Sequence, residues 1–334
     1  MEEILEATSL KGGYLLKSAQ VTQSSQRELY VDAVSEVSLK LFRNEIFGIA
    51  GESGCGKSTL IKIFYGYLEP PLILKGGSVE LHTKDGKKFT ITALSREQLR
   101  RDIFWRFSSY IPQSSMNVLN PIMRVRDHFA EMLKLYAGMD KNEAYKESKK
   151  YMEQMELPAD VLSAFPHQLS GGMRQRVVIS LALLMKPNIV FADEPTSALD
   201  VINQQVVLNM LKDSQESLKN TVVLVSHDMG VHGVVTHRMA VMYAGRIVEV
   251  GRTENIFEDP LHPYTQALIE ALPRLGDKTQ RKGLGGHPPD LKNPPLGCRF
   301  YIRCPYFESK CKLGNPVIRE VKPGRYVECW QYSS

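Results

Sequence analysis

The sequence is first notable for what it lacks. No apolar stretch in its 334 residues approaches the roughly 20 positions that a membrane-spanning helix needs, so a helical path through a bilayer is not expected. The opening segment, MEEILEATSL, is acidic and has no signal-type apolar core, which predicts a cytoplasmic protein. A large excess of one charge is also missing. With 42 Lys and Arg against 37 Asp and Glu, the net charge is +5, compatible with an anionic membrane surface and equally with plain solubility. Internal repeats and coiled-coil heptads are absent, which excludes solenoids and long zippers. Cysteine is scarce, at five residues, but unevenly placed: Cys55 stands alone and the other four fall within 298–329. In a cytoplasmic chain that clustering points to metal or cofactor ligation before disulfides.

Apolar residues make up 43% of the chain and charged residues 24%, enough core-forming material for one large domain and a smaller one and too little charge for global disorder. Residues 2–50 read as short strands broken by turns, with Glu45–Ala50 a strand and Ser58–Phe64 a buried helix. Residues from about 115 to 180 are helical in pattern, as in Asp127–Tyr136 and Lys141–Glu156. Asn188–Ala192 and Thr221–Val225 are short apolar runs typical of buried parallel strands. From about 251 onward Pro and Gly rise and the strand–helix alternation stops. Pro288–Pro289 and Pro294–Pro295 mark a linker before the cysteine-bearing module.

The chemistry begins at 51–59, GESGCGKST. Gly51, Gly56, Lys57 and Ser58 match a phosphate loop set between a strand and a helix. Gly51, Ser53, Gly54, Cys55 and Gly56 let backbone N–H groups curl around phosphate oxygens, and the helix start adds partial positive charge. Lys57 brings a full charge to the β- and γ-phosphates, the Ser58 hydroxyl can ligate Mg²⁺, and Thr59 can bond the α-phosphate. The apolar strand at 189–192 runs into Asp193 and Glu194. Asp193 is placed to hold the Mg²⁺ shell and Glu194 to polarise an attacking water. Ser170–Gly171–Gly172 leads into a helix read at Met173–Leu184, which Ser170 can cap, and the free N–H groups at its start form a second anion site.

The order of these elements, with LSGGMRQR at 169–176 ahead of the Asp193–Glu194 strand, resembles the ATP-binding cassette (ABC) ATPases. The resemblance implies an α/β P-loop fold: a parallel-sheet core, an antiparallel β subdomain and a helical subdomain. It implies ATP and Mg²⁺ as ligands and a head-to-tail pair of cassettes, in which Ser170, Gly171 and Gly172 reach the partner's ATP. Gln113, in Tyr-Ile-Pro-Gln, looks like the family's Q-loop glutamine and could reach Mg²⁺ or the lytic water. His227, in Leu-Val-Ser-His-Asp, resembles the switch histidine that bonds the γ-phosphate. Pro195–Asp200 resembles the D-loop. Tyr14 stands where the family stacks an aromatic ring on adenine, with Tyr30 the competitor. Cys55 replaces a residue that is often Ser in relatives, which suggests a nucleotide site sensitive to alkylation.

Residues 258–275 and 297–305 resemble the extra domain of the oligopeptide/dipeptide importer ATPases. That divides the chain into a cassette at 1–250 and an extension at 251–334. The cysteines follow the spacing Cys298-x5-Cys304-x6-Cys311-x17-Cys329. Four thiolates can hold a [4Fe–4S] cluster, which the resemblance implies, or tetrahedral Zn²⁺, although tight C-x2-C pairs are absent. Four free thiols or two disulfides are the plain alternative. The implied protein is a peripheral ATPase at the cytoplasmic face of the cell membrane. It would pair with a second, similar ATPase beneath two permease subunits, with an extracytoplasmic solute-binding protein delivering oligopeptides or dipeptides. Ser115–Pro121 departs from the commoner continuation of the Q-loop and keeps oligosaccharides as an alternative cargo. A soluble cassette acting on DNA or the ribosome is disfavoured, since there is one cassette without coiled-coil or zinc insertions, and no nucleic-acid partner is expected. A catalytically dead subunit is opposed by intact Lys57, Asp193, Glu194 and His227.

Overall fold

A computed structural model describes residues 2–17, 28–113, 118–155, 157–272 and 283–332. The elements run β1 (Glu3–Lys17), β2 (Glu28–Phe42), β3 (Ile46–Ala50), α1 (Lys57–Tyr65), β4 (Leu72–His82), β5 (Lys88–Thr90), α2 (Arg96–Gln98), β6 (Ser108–Ile111), α3 (Val125–Ala137), α4 (Lys141–Gln154), α5 (Gly171–Leu183) and β7 (Ile189–Asp193). They continue with α6 (Val201–Leu218), β8 (Thr221–Ser226), α7 (Met229–Val235), β9 (Arg238–Tyr243), β10 (Arg246–Arg252), α8 (Thr253–Glu258), α9 (Pro263–Glu270), β11 (Arg319–Lys322) and β12 (Arg325–Val327). No helix among the described residues is long and apolar enough to cross a membrane. The chain divides into two compact units, one of Met1–Phe42, Phe47–Leu94 and Val225–Ser334, the other of Arg43–Ile46 and Ser95–Leu224.

The first unit carries an antiparallel sheet in the order β2-β1-β4-β5. The sequence suggests short strands here, yet β1 and β2 are 15 residues each. The reason is irregular pairing: the register slips at four places along β1 and β2, and Ser9 and Glu36 take left-handed backbone angles, so the two-residue alternation that marks a strand is repeatedly reset. The same unit holds the strands β11-β12-β10-β9-β3, with β3 parallel to β9 and the rest antiparallel. Beyond 251 the alternation of strands and helices ends, but regular structure does not. Two helices follow β10, and a hairpin turning at Pro323–Gly324 lays β12 against it, Glu249 facing Val327.

That hairpin is fastened by buried charge. Arg325 donates to Glu249 at 2.6 Å and Arg246 to Glu328 at 2.6 Å, all four side chains being buried. Glu249 also accepts from the backbone N–H groups of Leu261 and His262, so one carboxylate ties β10, β12 and the approach to α9 together. α9 starts with Pro263 after a His262 cap, whose ring accepts from the Tyr264 N–H at 3.0 Å. Tyr264, Tyr243 and Phe300 form an aromatic cluster with Met239, Val241 and Ile269 around them.

Burial in this unit also holds two histidines neutral, His232 at about 4 and His262 at about 3. An unfolded imidazole titrates near pH 6.5. The folded values lie below that, so the unfolded chain binds protons that the native state refuses. This part of the stability is present above pH 6.5 and is lost as pH falls from 6.5 toward 4, at up to about 1.4 kcal/mol per pH unit for each ring. Urea midpoints measured from pH 7.5 to 4.5 should fall accordingly, and a flat profile would contradict neutral burial.

In the second unit β6 and β7 are parallel and β8 follows them in the order β8-β7-β6. Its helices α3, α4 and α5 lie near the ranges read from the sequence. A capping box, Asp140 with Glu143, starts α4, and Phe129, Ala130 and Leu133 give α3 its buried stripe. The Ser115–Asn117 part of the segment used to suggest a sugar cargo lies outside the described residues.

Candidate nucleotide site and cysteine pocket

β3 is buried along its whole length and delivers the chain into the loop Gly51–Gly56. Gly56, at φ 108°, is the N-cap of α1, and a Cβ there would lie 2.0 Å from the Ala33 carbonyl oxygen, so only glycine fits. α1 has no side-chain cap and no acidic residue in its first turn. The N–H groups of Lys57, Ser58 and Thr59 stand at this helix start, the kind of place where an anion binds. The Lys57 ammonium is buried at the loop and donates to the carbonyls of Gly51 at 2.8 Å and Glu52 at 3.0 Å. Ser53 and Gly54 are exposed at the loop's tip, and the Cys55 carbonyl accepts from the Gly245 N–H at 2.7 Å.

Cys55 does not have the reactivity that its position suggested. Its side chain is 5% exposed, and burial pushes the thiol up despite the nearby Lys57 charge. A buried, protonated thiol is a poor nucleophile.

Tyr14, on β1, meets this loop: its hydroxyl lies 3.1 Å from the Thr59 hydroxyl. Tyr30 instead carries the Lys75 ammonium 3.2 Å over its ring centre, and burial pushes its phenol up to about 12. His227 follows β8 directly, and its neighbour Asp228 caps α7 through the Gly230 N–H at 2.8 Å.

The second unit brings the acidic residues together. Asp193 ends β7 and accepts from the Tyr110 hydroxyl at 2.8 Å. Glu194 takes a left-handed backbone at φ 45°, unusual for a residue with a side chain, which turns its carboxylate away from the strand direction. The Gln113 amide donates to that carboxylate at 3.0 Å, and the Ser197 hydroxyl donates to the Gln113 carbonyl at 3.1 Å. Gln113, Glu194 and Ser197 are thereby one hydrogen-bonded group. Asp200 caps α6 by accepting from Asn203, and those bonds lower its carboxyl below the usual range. Ser170 caps α5 through the Met173 N–H at 3.2 Å, and no acidic residue stands in that helix's first turn. Gly172 admits Asn203: a Cβ there would lie 2.4 Å from the Asn203 amide oxygen.

Cys298, Cys304, Cys311 and Cys329 line one cavity with His262, Phe300 and Trp330 among its walls. All are free thiols. Burial, with the other cysteines adding, pushes Cys298 up to about 12 and Cys329 up to about 11.

Three participants were not read from the sequence. Tyr110 lies three residues before Gln113, and nothing in its surroundings marked it. Arg299 and Arg303 are more telling. Arg299 pairs with Asp32, while Arg303 forms a two-pronged pair with Glu52 of the phosphate loop at 2.8 and 2.9 Å. Two arginines set four apart between Cys298 and Cys304, in an aromatic stretch, were the available signal.

A phosphate loop on a helix start, an acid pair at a strand end and a second capped helix start define a P-loop ATPase cassette. Comparison with known proteins agrees. Residues 34–197 match the family model described as ABC transporter, and residues 248–311 match that of the oligopeptide/dipeptide transporter C-terminal region. The chain is 36% identical over 335 residues to the dipeptide transport ATP-binding protein DppD of Caldanaerobacter subterraneus subsp. tengcongensis, covering 99% of this chain and 98% of that one. It is 40% identical over 305 residues to DppD of Bacillus subtilis, covering 90% and 89%. Among solved structures, a dimeric ATP-binding cassette in a post-hydrolysis state with ADP and Pi aligns with a TM-score of 0.60 and 25% identity, over 75% of this chain and 98% of that one. The chain belongs to the ABC transporter ATPases, in the branch that carries the oligopeptide/dipeptide transporter C-terminal region.

Proposed function

We propose that this chain is the ATP-hydrolysing subunit of an importer for dipeptides or oligopeptides, working at the cytoplasmic face of the membrane. The observation that carries the cargo class is the C-terminal match at 248–311 beside near full-length likeness to dipeptide transport ATP-binding proteins. Residues 1–250 act as the cassette and 251–334 as the extension. The partners are a second cassette, two permeases and an extracytoplasmic solute-binding protein.

In this reading the N–H groups of 51–59 and the Lys57 ammonium hold the ATP phosphates, and Tyr14 stacks on adenine. Mg²⁺ neutralises phosphate charge, held by Ser58, Asp193 and Gln113. Glu194, steadied by the Gln113 amide, takes the proton of the attacking water, and His227 bonds the γ-phosphate. Ser170, Gly171 and Gly172 offer the α5 start to the partner's ATP, with Asp200 in the adjoining turn. Tyr14→Ala should weaken Mg·ATP binding by fivefold or more, since an aromatic ring stacked on a base contributes about 1–3 kcal/mol. Tyr30→Ala should weaken it less, and the reverse ranking would exchange their roles.

The four-cysteine cavity suits a [4Fe–4S] cluster held by Cys298, Cys304, Cys311 and Cys329. Four thiols share one buried pocket without a disulfide, and metal ligation is what would favour their thiolates there. When bound, the cluster supplies a covalent staple for the extension. The deciding experiment compares uptake of a labelled dipeptide and a labelled oligosaccharide in cells with and without this chain, alongside iron, sulfide and zinc content of the anaerobically purified protein. Loss of dipeptide uptake alone supports the cargo assignment; loss of oligosaccharide uptake alone would replace it. Zinc without iron would replace the cluster.

A further inference from the structure

Every polar group of Glu52, the second residue of the phosphate loop, is held. Its N–H donates to the Tyr264 hydroxyl at 3.0 Å, its carbonyl accepts from Lys57, and its carboxylate takes both prongs of Arg303. The Arg303 side chain is 4% exposed and is itself fixed by donating to the Gly285 carbonyl at 2.9 Å and the Tyr243 hydroxyl at 3.3 Å. Two of these three clamps come from residues next in sequence to the cysteine pocket's lining. Arg303 immediately precedes Cys304, and Tyr264 immediately follows Pro263, both of which line the cavity. Phe300, a third lining residue, packs edge-on to Tyr243 at 5.2 Å and lies 5.5 Å from Tyr264.

We propose that Arg303 is a positioning residue for the phosphate loop, and that through it nucleotide affinity and the state of the four-cysteine pocket are coupled. The proposal rests on the phosphate-loop reading above. A carboxylate at the mouth of a site for an anion repels its ligand unless its charge is cancelled in place. The Arg303 fork cancels the Glu52 charge and fixes its direction, which a diffuse counter-ion would not do. Because Arg303 and Cys304 are adjacent, anything that holds Cys304 also limits where the fork can sit. Coupling of this kind is reciprocal, so bound nucleotide must restrain the pocket as much as the pocket restrains the loop.

The test uses the full chain and Mg·ADP, with binding measured by calorimetry at fixed salt. Arg303→Gln should weaken binding about tenfold by leaving Glu52 uncompensated, and the penalty should shrink in high salt. Arg303→Lys, which keeps the charge without the fork, should fall between. The Glu52→Gln/Arg303→Gln double variant should recover most of the loss, an outcome that a merely structural role for Arg303 would not give. In a second readout, backbone amide exchange of the peptide carrying Cys298 and Cys304 is followed by mass spectrometry. Saturating Mg·ADP should slow it several-fold in the wild-type chain and leave it unchanged in Arg303→Gln. Binding by Arg303→Gln within twofold of wild type, a double variant no better than the single, or amide exchange indifferent to Mg·ADP would overturn the proposal. A wild-type chain that binds no Mg·ADP would overturn the phosphate-loop reading itself.

Discussion

Glu194→Gln is expected to lower ATP hydrolysis by about a hundredfold or more while leaving Mg·ATP binding intact, because a general base contributes on that scale and the amide cannot take a proton. The expectation follows from the role proposed for Glu194, and three features support it. The residue sits one step past Asp193 at the end of a buried strand. Its backbone is held at φ 45°, a conformation that proteins retain where a side chain must be aimed. The Gln113 amide fixes one carboxylate oxygen at 3.0 Å. Phosphate release under saturating Mg·ATP, with nucleotide affinity measured separately, gives the answer. A rate within tenfold of wild type would remove Glu194 from the role of base. If ATP joins two cassettes and hydrolysis parts them, the variant should also accumulate as an ATP-bound pair on gel filtration.

The second large effect concerns the fold. Arg325→Leu should destabilise the protein by about 3–5 kcal/mol, the range seen when one member of a buried ion pair is removed and the other stays behind. The Glu249 side chain is wholly buried, and the Arg325 guanidinium donates to it at 2.6 Å. Arg325 also donates to the carbonyls of Asn255 and Asp259, so those acceptors lose a donor as well. Urea unfolding should show the drop in midpoint. Adding Glu249→Gln should cost less than the sum of the two single changes, because the stranded charge disappears with it. A loss below about 1 kcal/mol would mean that water reaches the carboxylate.

How far the sequence disclosed this molecule varies with the physics of each part. The phosphate loop, the Asp193–Glu194 strand end and the Ser170 helix start were legible because each depends on a few adjacent residues with fixed backbone requirements. Strand β3 and helix α1 flank the loop as the pattern demands. The helices α3 and α4 showed their stripes and caps locally. Strands β1 and β2 were underestimated because bulges shift the alternation on which strand recognition relies. The β11–β12 hairpin was missed although Pro323–Gly324 is a strong turn signal, because each strand is too short to show a pattern. The Arg303–Glu52 and Arg299–Asp32 pairs span more than 250 residues and leave no local trace. Cys55 shows the opposite limit: its neighbours suggested a reactive thiol, and only packing revealed that it is shut away.

The long reach of those pairs bears on how the protein is made. Asp32 waits for Arg299, 267 positions later, and β10 lacks its outer neighbour until residues 325–327 have been added. At about 5–20 residues per second, a ribosome takes roughly 13–53 s to cover that interval. Between Glu249 and Arg325, 76 positions apart, the nascent chain exposes the β10 edge with Glu249 lacking its arginine for roughly 4–15 s. A messenger that stalls between codons 252 and 325 would therefore release an adhesive fragment rather than a smaller working cassette, and chaperones should be found most often on chains of that length.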